Sequence, residues 1–137
     1  MPVTTFSTSN DTYMQLLAGG GVFQIPRFQR DYSWTEENWE DLWSDIEELM
    51  QGGGAEAHYM GYLVLQPKPD RTLDIIDGQQ RMTTLSLLVL TGMRRIRDLQ
   101  QAGIDSANND TRLSELRRTY IGQIDTVSLR EYPKLCV

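Results

Sequence analysis

A chain of 137 residues with 39% hydrophobic and 23% charged residues is long enough for one domain with a core, and its composition does not predict disorder. Net charge is −6 and unevenly spread. Residues 1–60 hold ten acids against two bases, and residues 61–137 hold eleven bases against nine acids. That balance excludes the basic footprint of a stand-alone DNA binder, while leaving room for a local basic face in the second half.

Other classes fall away as quickly. No apolar run approaches the ~20 residues of a membrane span, and the start Met1-Pro2-Val3-Thr4-Thr5 lacks a signal-peptide pattern. The lone Cys136 excludes an internal disulfide and argues against a cysteine zinc site. A reducing cytoplasm, with no membrane partner, is the expected setting.

In chain order, Ser9-Asn10-Asp11 predicts the cap of a short helix that buries Tyr13, Leu16 and Leu17 and stops at Gly19-Gly20-Gly21. Val22–Ile25, ended by Pro26, predicts an edge strand. A donor-rich loop, Arg27 to Ser33, leads into a helix over Thr35–Met50 with Thr35 as N-cap. Trp39, Leu42, Trp43, Ile46, Leu49 and Met50 mark its core side, and its acids mark a solvated face. Tyr59–Gln66 and Thr72–Ile76 predict an antiparallel hairpin across the turn Pro67–Arg71. The next helix runs from about Gln79 to Gln101. Met82, Leu85, Leu88, Val89, Met93 and Ile96 form its stripe, and Leu87 and Leu90 widen it almost all round, as for a central helix. Gly103–Asp110 reads as a polar linker and Thr111–Thr119 as a weaker helix. Tyr120-Ile121 and Tyr132–Val137 read as short strands. The chain stops within the apolar run Leu135-Cys136-Val137, which predicts the N-terminal fragment of a longer protein.

The most informative segment is Leu73-Asp74-Ile75-Ile76-Asp77-Gly78-Gln79-Gln80-Arg81-Met82-Thr83-Thr84-Leu85. An apolar strand ends at an Asp-Gly turn, and two amides and an arginine open a helix. Such a terminus has unpaired N–H groups and the positive end of the helix dipole, so a phosphate or carboxylate is its natural guest. An ordinary turn and cap is the alternative. A second donor cluster lies in Ile25-Pro26-Arg27-Phe28-Gln29-Arg30-Asp31-Tyr32-Ser33-Trp34. Gln29 and Arg30 could converge with Gln79, Gln80 and Arg81 on one polyanion, with Tyr32 at its edge. Alternatively, Arg30 pairs with Asp31 or Asp77 and the aromatics are core. His58, at a strand start, reads as structural or solvent-exposed rather than catalytic.

Taken together, Ile-Pro-x-Phe-Gln-Arg-x-Tyr-x-Trp, the glycine-bearing run Tyr59-Met60-Gly61-Tyr62-Leu63, and Ile-Asp-Gly-Gln-Gln-Arg-x-Thr-Thr-Leu resemble one family. The chain looks like the N-terminal domain of GmrSD-type, modification-dependent restriction enzymes, of the ParB/sulfiredoxin-like superfamily. The resemblance spans roughly Tyr13 to Arg97. It implies a nucleotide-handling domain in phage defence that couples NTP binding or hydrolysis to recognising or cutting modified DNA. It also implies a partner HNH-type nuclease domain or subunit, whose motif the single histidine of this chain cannot supply. The family's D-G-Q-Q-R falls on Asp77, Gly78, Gln79, Gln80 and Arg81, and its F-Q-R-x-Y on Phe28, Gln29, Arg30 and Tyr32. Sulfiredoxin-like redox chemistry fits poorly, since Cys136 lies far from the D-G-Q-Q-R turn.

The expectation is therefore an α+β domain spanning 1–137, a small mixed sheet packed with helices on a ParB/sulfiredoxin-like core. Nucleotide phosphates would be held by Gly78, Gln79, Gln80, Arg81, Gln29, Arg30 and Tyr32. Asp77, Gln80 and Arg81 would act in catalysis, and Asp77 would hold Mg²⁺ on the NTP, orient a water or merely fix an arginine. No Walker A lysine motif is present. The rival expectations are a non-catalytic DNA-binding module that reads the backbone or a modified base, and a purely structural domain whose arginines pair with its own acids.

Overall fold

The computed structural model describes residues 9, 11–26, 32–52 and 61–136. Phe28, Gln29, Arg30 and His58 therefore lie outside the described residues, as do Tyr59 and Met60 of the Tyr59–Leu63 run and Val137.

Helix α1 (Tyr13–Ala18) opens on a capping box one residue later than Ser9-Asn10-Asp11 predicts. The Thr12 hydroxyl accepts from the Gln15 N–H, and the Gln15 side chain accepts from the Thr12 N–H. Its inner side delivers Leu17, fully buried, to a core with Phe23, Ile75 and Met82. Tyr13 stacks on Tyr120 at 5.5 Å and shares a 3.2 Å hydrogen bond with Ser86.

Strand β1 (Val22–Gln24) is not an edge, contrary to the reading from Pro26. The sheet order is β2-β3-β1-β6, with β2 (Val64–Pro67), β3 (Thr72–Asp77) and β6 (Leu135–Cys136). Phe23 pairs with Leu73 on one side and Leu135 on the other, both in parallel register. Proline follows β1 because the pairing ends there. The β2–β3 pair is antiparallel as expected, with Leu65 opposite Ile75. Its turn is closed by the Lys68 N–H on the Thr72 carbonyl at 2.8 Å, and Asp70 accepts from the Thr72 N–H.

Helix α2 (Glu36–Met50) starts after Thr35, whose N–H donates to the Asn38 side chain at 2.9 Å. Its predicted core stripe is only partly buried. Leu42 is enclosed, whereas Trp39, Trp43 and Met50 are 47%, 49% and 76% exposed. The indoles keep polar contacts instead: Trp43 Nε1 donates to Glu47 and Trp39 Nε1 to Tyr32.

Helix α3 (Gln79–Gln101) has the predicted bounds. Met82 and Thr84 are buried, but Leu87 and Leu90 are nearly half exposed, so the helix is not enclosed all round. The Gly103–Asp110 stretch is not a linker. Helix α4 (Ser106–Leu116) begins inside it, because Asn109 is buried: its amide donates to the Ile104 carbonyl and its oxygen accepts from Arg112. Tyr120-Ile121 is not a strand either. Those residues end a π-helical turn, Arg117–Ile121, and the chain becomes extended only at β4 (Gly122–Ile124), which pairs with β5 (Glu131–Pro133). Arg117 and Glu131 clamp that hairpin to the turn through two hydrogen bonds of 2.9 and 2.8 Å. The architecture is α+β, with four α-helices, a mixed four-stranded sheet and a separate two-stranded hairpin among the described residues.

Candidate functional site

The β3-to-α3 junction is built from residues that each have a local task. Asp77 ends β3, and its Oδ1 accepts from the Gly78 N–H at 2.9 Å. Gly78 is the N-cap of α3 at φ 94°, a left-handed conformation that favours glycine. Space demands glycine too: a Cβ here would stand 2.7 Å from Leu63 Cδ1 and 3.3 Å from the Tyr62 carbonyl oxygen. The segment 61–63 thus crosses directly over the helix start.

The N-cap of α3 is a glycine and offers no side-chain cap, and no acid lies in the helix's first turn. The first helical backbone bond runs from the Met82 N–H to the Gly78 carbonyl. Helix geometry directs the amides ahead of it out of the N-terminus, where the helix dipole is positive.

The side chains of this turn divide into two kinds. Gln79 and Gln80 are engaged with the protein. Gln79 Nε2 donates to the Ile75 carbonyl at 2.9 Å, tying the helix back to β3. Gln80 Oε1 accepts from the Ser33 N–H at 2.7 Å. Arg81 differs. Among the described residues its half-buried guanidinium has no ion-pair or hydrogen-bond partner. It rests against Gly61 instead, where a Cβ would meet Nη1 and Nη2 at 3.0 Å and Cζ at 3.2 Å. An arginine at the positive end of a helix adds charge of the same sign, so the two together strengthen the attraction for an anion.

The two predicted motifs meet at this turn. Tyr32 lies 2.6 Å from Thr84 Oγ1, and the neighbouring Ser33 N–H reaches Gln80. Gln29 and Arg30 belong to the residues outside the described set. Thr84 and Ser33 were not singled out from sequence. The signal for Thr84 is its place four residues after Gln80, one turn on along the same face. Gly61 carried a signal too, since a glycine beside large strand-type residues marks a close approach of another group.

No group of three metal-ligating side chains gathers among the described residues. Asp77 offers a single carboxylate at the helix start, a donor set suited to Mg²⁺ carried on phosphate oxygens rather than caged by protein. Two surface depressions, of about 370 and 380 Å³, lie around Gly19–Gly21 with Arg71 and along the Trp39–Trp43 face of α2. Neither includes a residue of the α3 first turn. No helix among the described residues is long and apolar enough to cross a membrane.

Residues 10–133 match the family described as GmrSD restriction endonuclease, N-terminal domain. The match covers most of the chain, and the protein belongs to that family. No match was found among curated proteins.

Proposed function

We propose that this domain of a restriction endonuclease family binds the phosphate chain of a nucleoside triphosphate at the α3 N-terminus. In the intact protein it hydrolyses that nucleotide as the sensor or motor part of modification-dependent restriction. The observation that carries the reading is Arg81, a half-buried guanidinium without a protein partner among the described residues, at a helix start whose N-cap is a glycine. The backbone amides of that start and Arg81 would neutralise phosphate charge. Gly78 would serve the site through the left-handed backbone that turns the chain into α3.

Asp77 would share Mg²⁺ with the phosphate oxygens or orient a water. Gln79 and Gln80 would act mainly through the hydrogen bonds that fix the turn, and Tyr32 through its bond to Thr84. Gln29 and Arg30, from the F-Q-R motif, would add donors from the adjoining loop. DNA, and an HNH-type nuclease as a further domain or subunit, would be partners in the full protein. A second reading uses the same cationic turn to hold DNA; it draws on Arg94, Arg95 and Arg97, exposed farther along α3.

Calorimetry with ATP, GTP, CTP and UTP in MgCl₂, beside the Arg81→Ala variant, tests the proposal. The expected result is nucleotide binding that the variant weakens by about tenfold or more at unchanged melting temperature. Wild-type protein that binds no nucleotide, or a variant that binds as well as wild type, overturns it. Salt-dependent DNA binding that nucleotide leaves unchanged would favour the second reading.

A further inference from the structure

We propose that Gly61 is a positioning residue for Arg81: the missing side chain at position 61 is what sets where the guanidinium lies. The inference rests on the reading of Arg81 as a phosphate-binding group. Two nitrogens and the central carbon of the guanidinium sit 3.0 to 3.2 Å from the point where a Cβ of residue 61 would stand. That is closer than a side-chain carbon and a guanidinium comfortably approach, so a Cβ there would oblige the guanidinium to shift.

The backbone side of this contact cannot adjust freely. Leu63, two residues on, packs against the core, and its Cδ1 fills the space left by the absent Cβ of Gly78. The segment therefore crosses the helix start in a fixed register, which brings the bare Cα of residue 61 under Arg81. With no carboxylate or hydrogen-bond acceptor engaging the guanidinium among the described residues, contact with that bare Cα defines its orientation.

A methyl group at position 61 would push aside the end of a flexible side chain. Displacing it costs little stability, but it moves the charge away from the helix N-terminus. Stability and binding should then respond differently. Gly61 has φ 91°, so an alanine there also carries backbone strain. Gly20 supplies the matched control, since it has φ 83° and nothing within 4 Å of its Cβ position. Gly61→Asn supplies a second variant, because asparagine tolerates the left-handed region while still placing a Cβ under Arg81.

The experiment is calorimetric titration of inorganic triphosphate into wild type, Gly61→Ala, Gly61→Asn, Gly20→Ala, Arg81→Ala and the Gly61→Ala/Arg81→Ala double variant, with a thermal melt of each. Gly61→Ala and Gly61→Asn are expected to weaken binding about tenfold or more, as Arg81→Ala does. Gly20→Ala should lower the melting temperature as much as Gly61→Ala while binding normally. The double variant should bind no worse than the weaker single one, because both changes remove one interaction. Normal binding by the Gly61 variants, while Arg81→Ala loses it, overturns the inference and leaves the phosphate site standing. Losses that add in the double variant overturn it as well. Unchanged binding by Arg81→Ala removes the phosphate site itself.

Discussion

The Tyr32 hydroxyl and Thr84 Oγ1 lie 2.6 Å apart, and the direction of their bond follows from counting protons. Thr84 donates its hydroxyl hydrogen to the Gln80 carbonyl at 2.8 Å, so it can only accept from Tyr32. The Tyr32 oxygen in turn accepts from Trp39 Nε1 at 2.6 Å. A one-way chain of donors thus runs from α2 through the loop before it to the first turn of α3. Thr84 is buried, and Thr84→Val keeps its shape while removing the central link. The substitution should cost about 1–2 kcal/mol in urea unfolding and change the tryptophan emission of the folded protein. In a double-mutant cycle with Tyr32→Phe, the two losses should fall short of adding; full additivity would mean that the bond carries no weight.

Helix α2 offers a test of which side chains hold it. Leu42 is 6% exposed and Trp43 is 49% exposed. Leu42→Ala should cost about 2–5 kcal/mol through lost burial and the cavity it leaves. Trp43→Ala, despite removing the larger side chain, should cost below about 1 kcal/mol. Chemical denaturation of the two variants decides the ranking, and the reverse order would contradict the observed burial.

Gly78 combines a left-handed backbone with a tight neighbour. Gly78→Ala meets the αL penalty of about 1–2 kcal/mol and also displaces Leu63 from the core. Gly103→Ala, at φ 78° with open space around it, meets the backbone penalty alone. Urea unfolding should therefore show Gly78→Ala as the more destabilising of the pair, and equal losses would show that Leu63 adapts without cost.

Lys134 is 3% exposed, and its Nζ donates to the Leu17 carbonyl at the end of α1. Burial, reinforced by the charge of Arg118, pushes its pKa below the ordinary lysine value. Between that lowered value and the unfolded value of about 10.4, the unfolded chain binds more protons, so this group adds stability as pH rises. Tyr13 acts in the opposite sense. Burial and, to a smaller degree, Tyr120 raise its pKa against the pull of the Ser86 hydrogen bond, so its contribution falls as pH passes the ordinary tyrosine range. Comparing wild type with Lys134→Met by urea unfolding from pH 8 to 10.5 isolates the lysine. The stability difference should move in favour of wild type with rising pH, and a flat difference would refute the assignment.

Local signals in the sequence foretold the elements that local physics decides. The Asp77-Gly78 turn and the apolar stripe from Met82 onward were enough to bound α3 at Gln79 and Gln101. The β2–β3 hairpin likewise followed from two strand-type runs and a proline turn. What was not legible depends on partners remote in the chain. Pro26 after β1 suggested an edge, but β6 completes the sheet from the far end of the described residues. The polar run Ser106–Asp110 looked like a linker because nothing local reveals that Asn109 is buried and bonded to Ile104. Helical spacing placed the α2 tryptophans inward, yet spacing cannot say whether a neighbouring element covers them. At the site, the D-G-Q-Q-R residues were recognisable as one cluster. That Gln79 and Gln80 bond to the protein while Arg81 rests on Gly61 required three dimensions.

The place of β1 between β3 and β6 also bears on how the chain reaches its fold. The Phe23 N–H bonds to the Lys134 carbonyl and the Ile25 N–H to the Cys136 carbonyl, joining the first described strand to the last. Closing so long a loop adds only logarithmically to the entropic cost, but contacts of this separation slow folding. While the ribosome still holds residues near Cys136, β1 has one open pairing edge, with Phe23 at its centre. Completion of this sheet thus waits until β6 has been made, and the nascent chain carries an open strand edge until that moment.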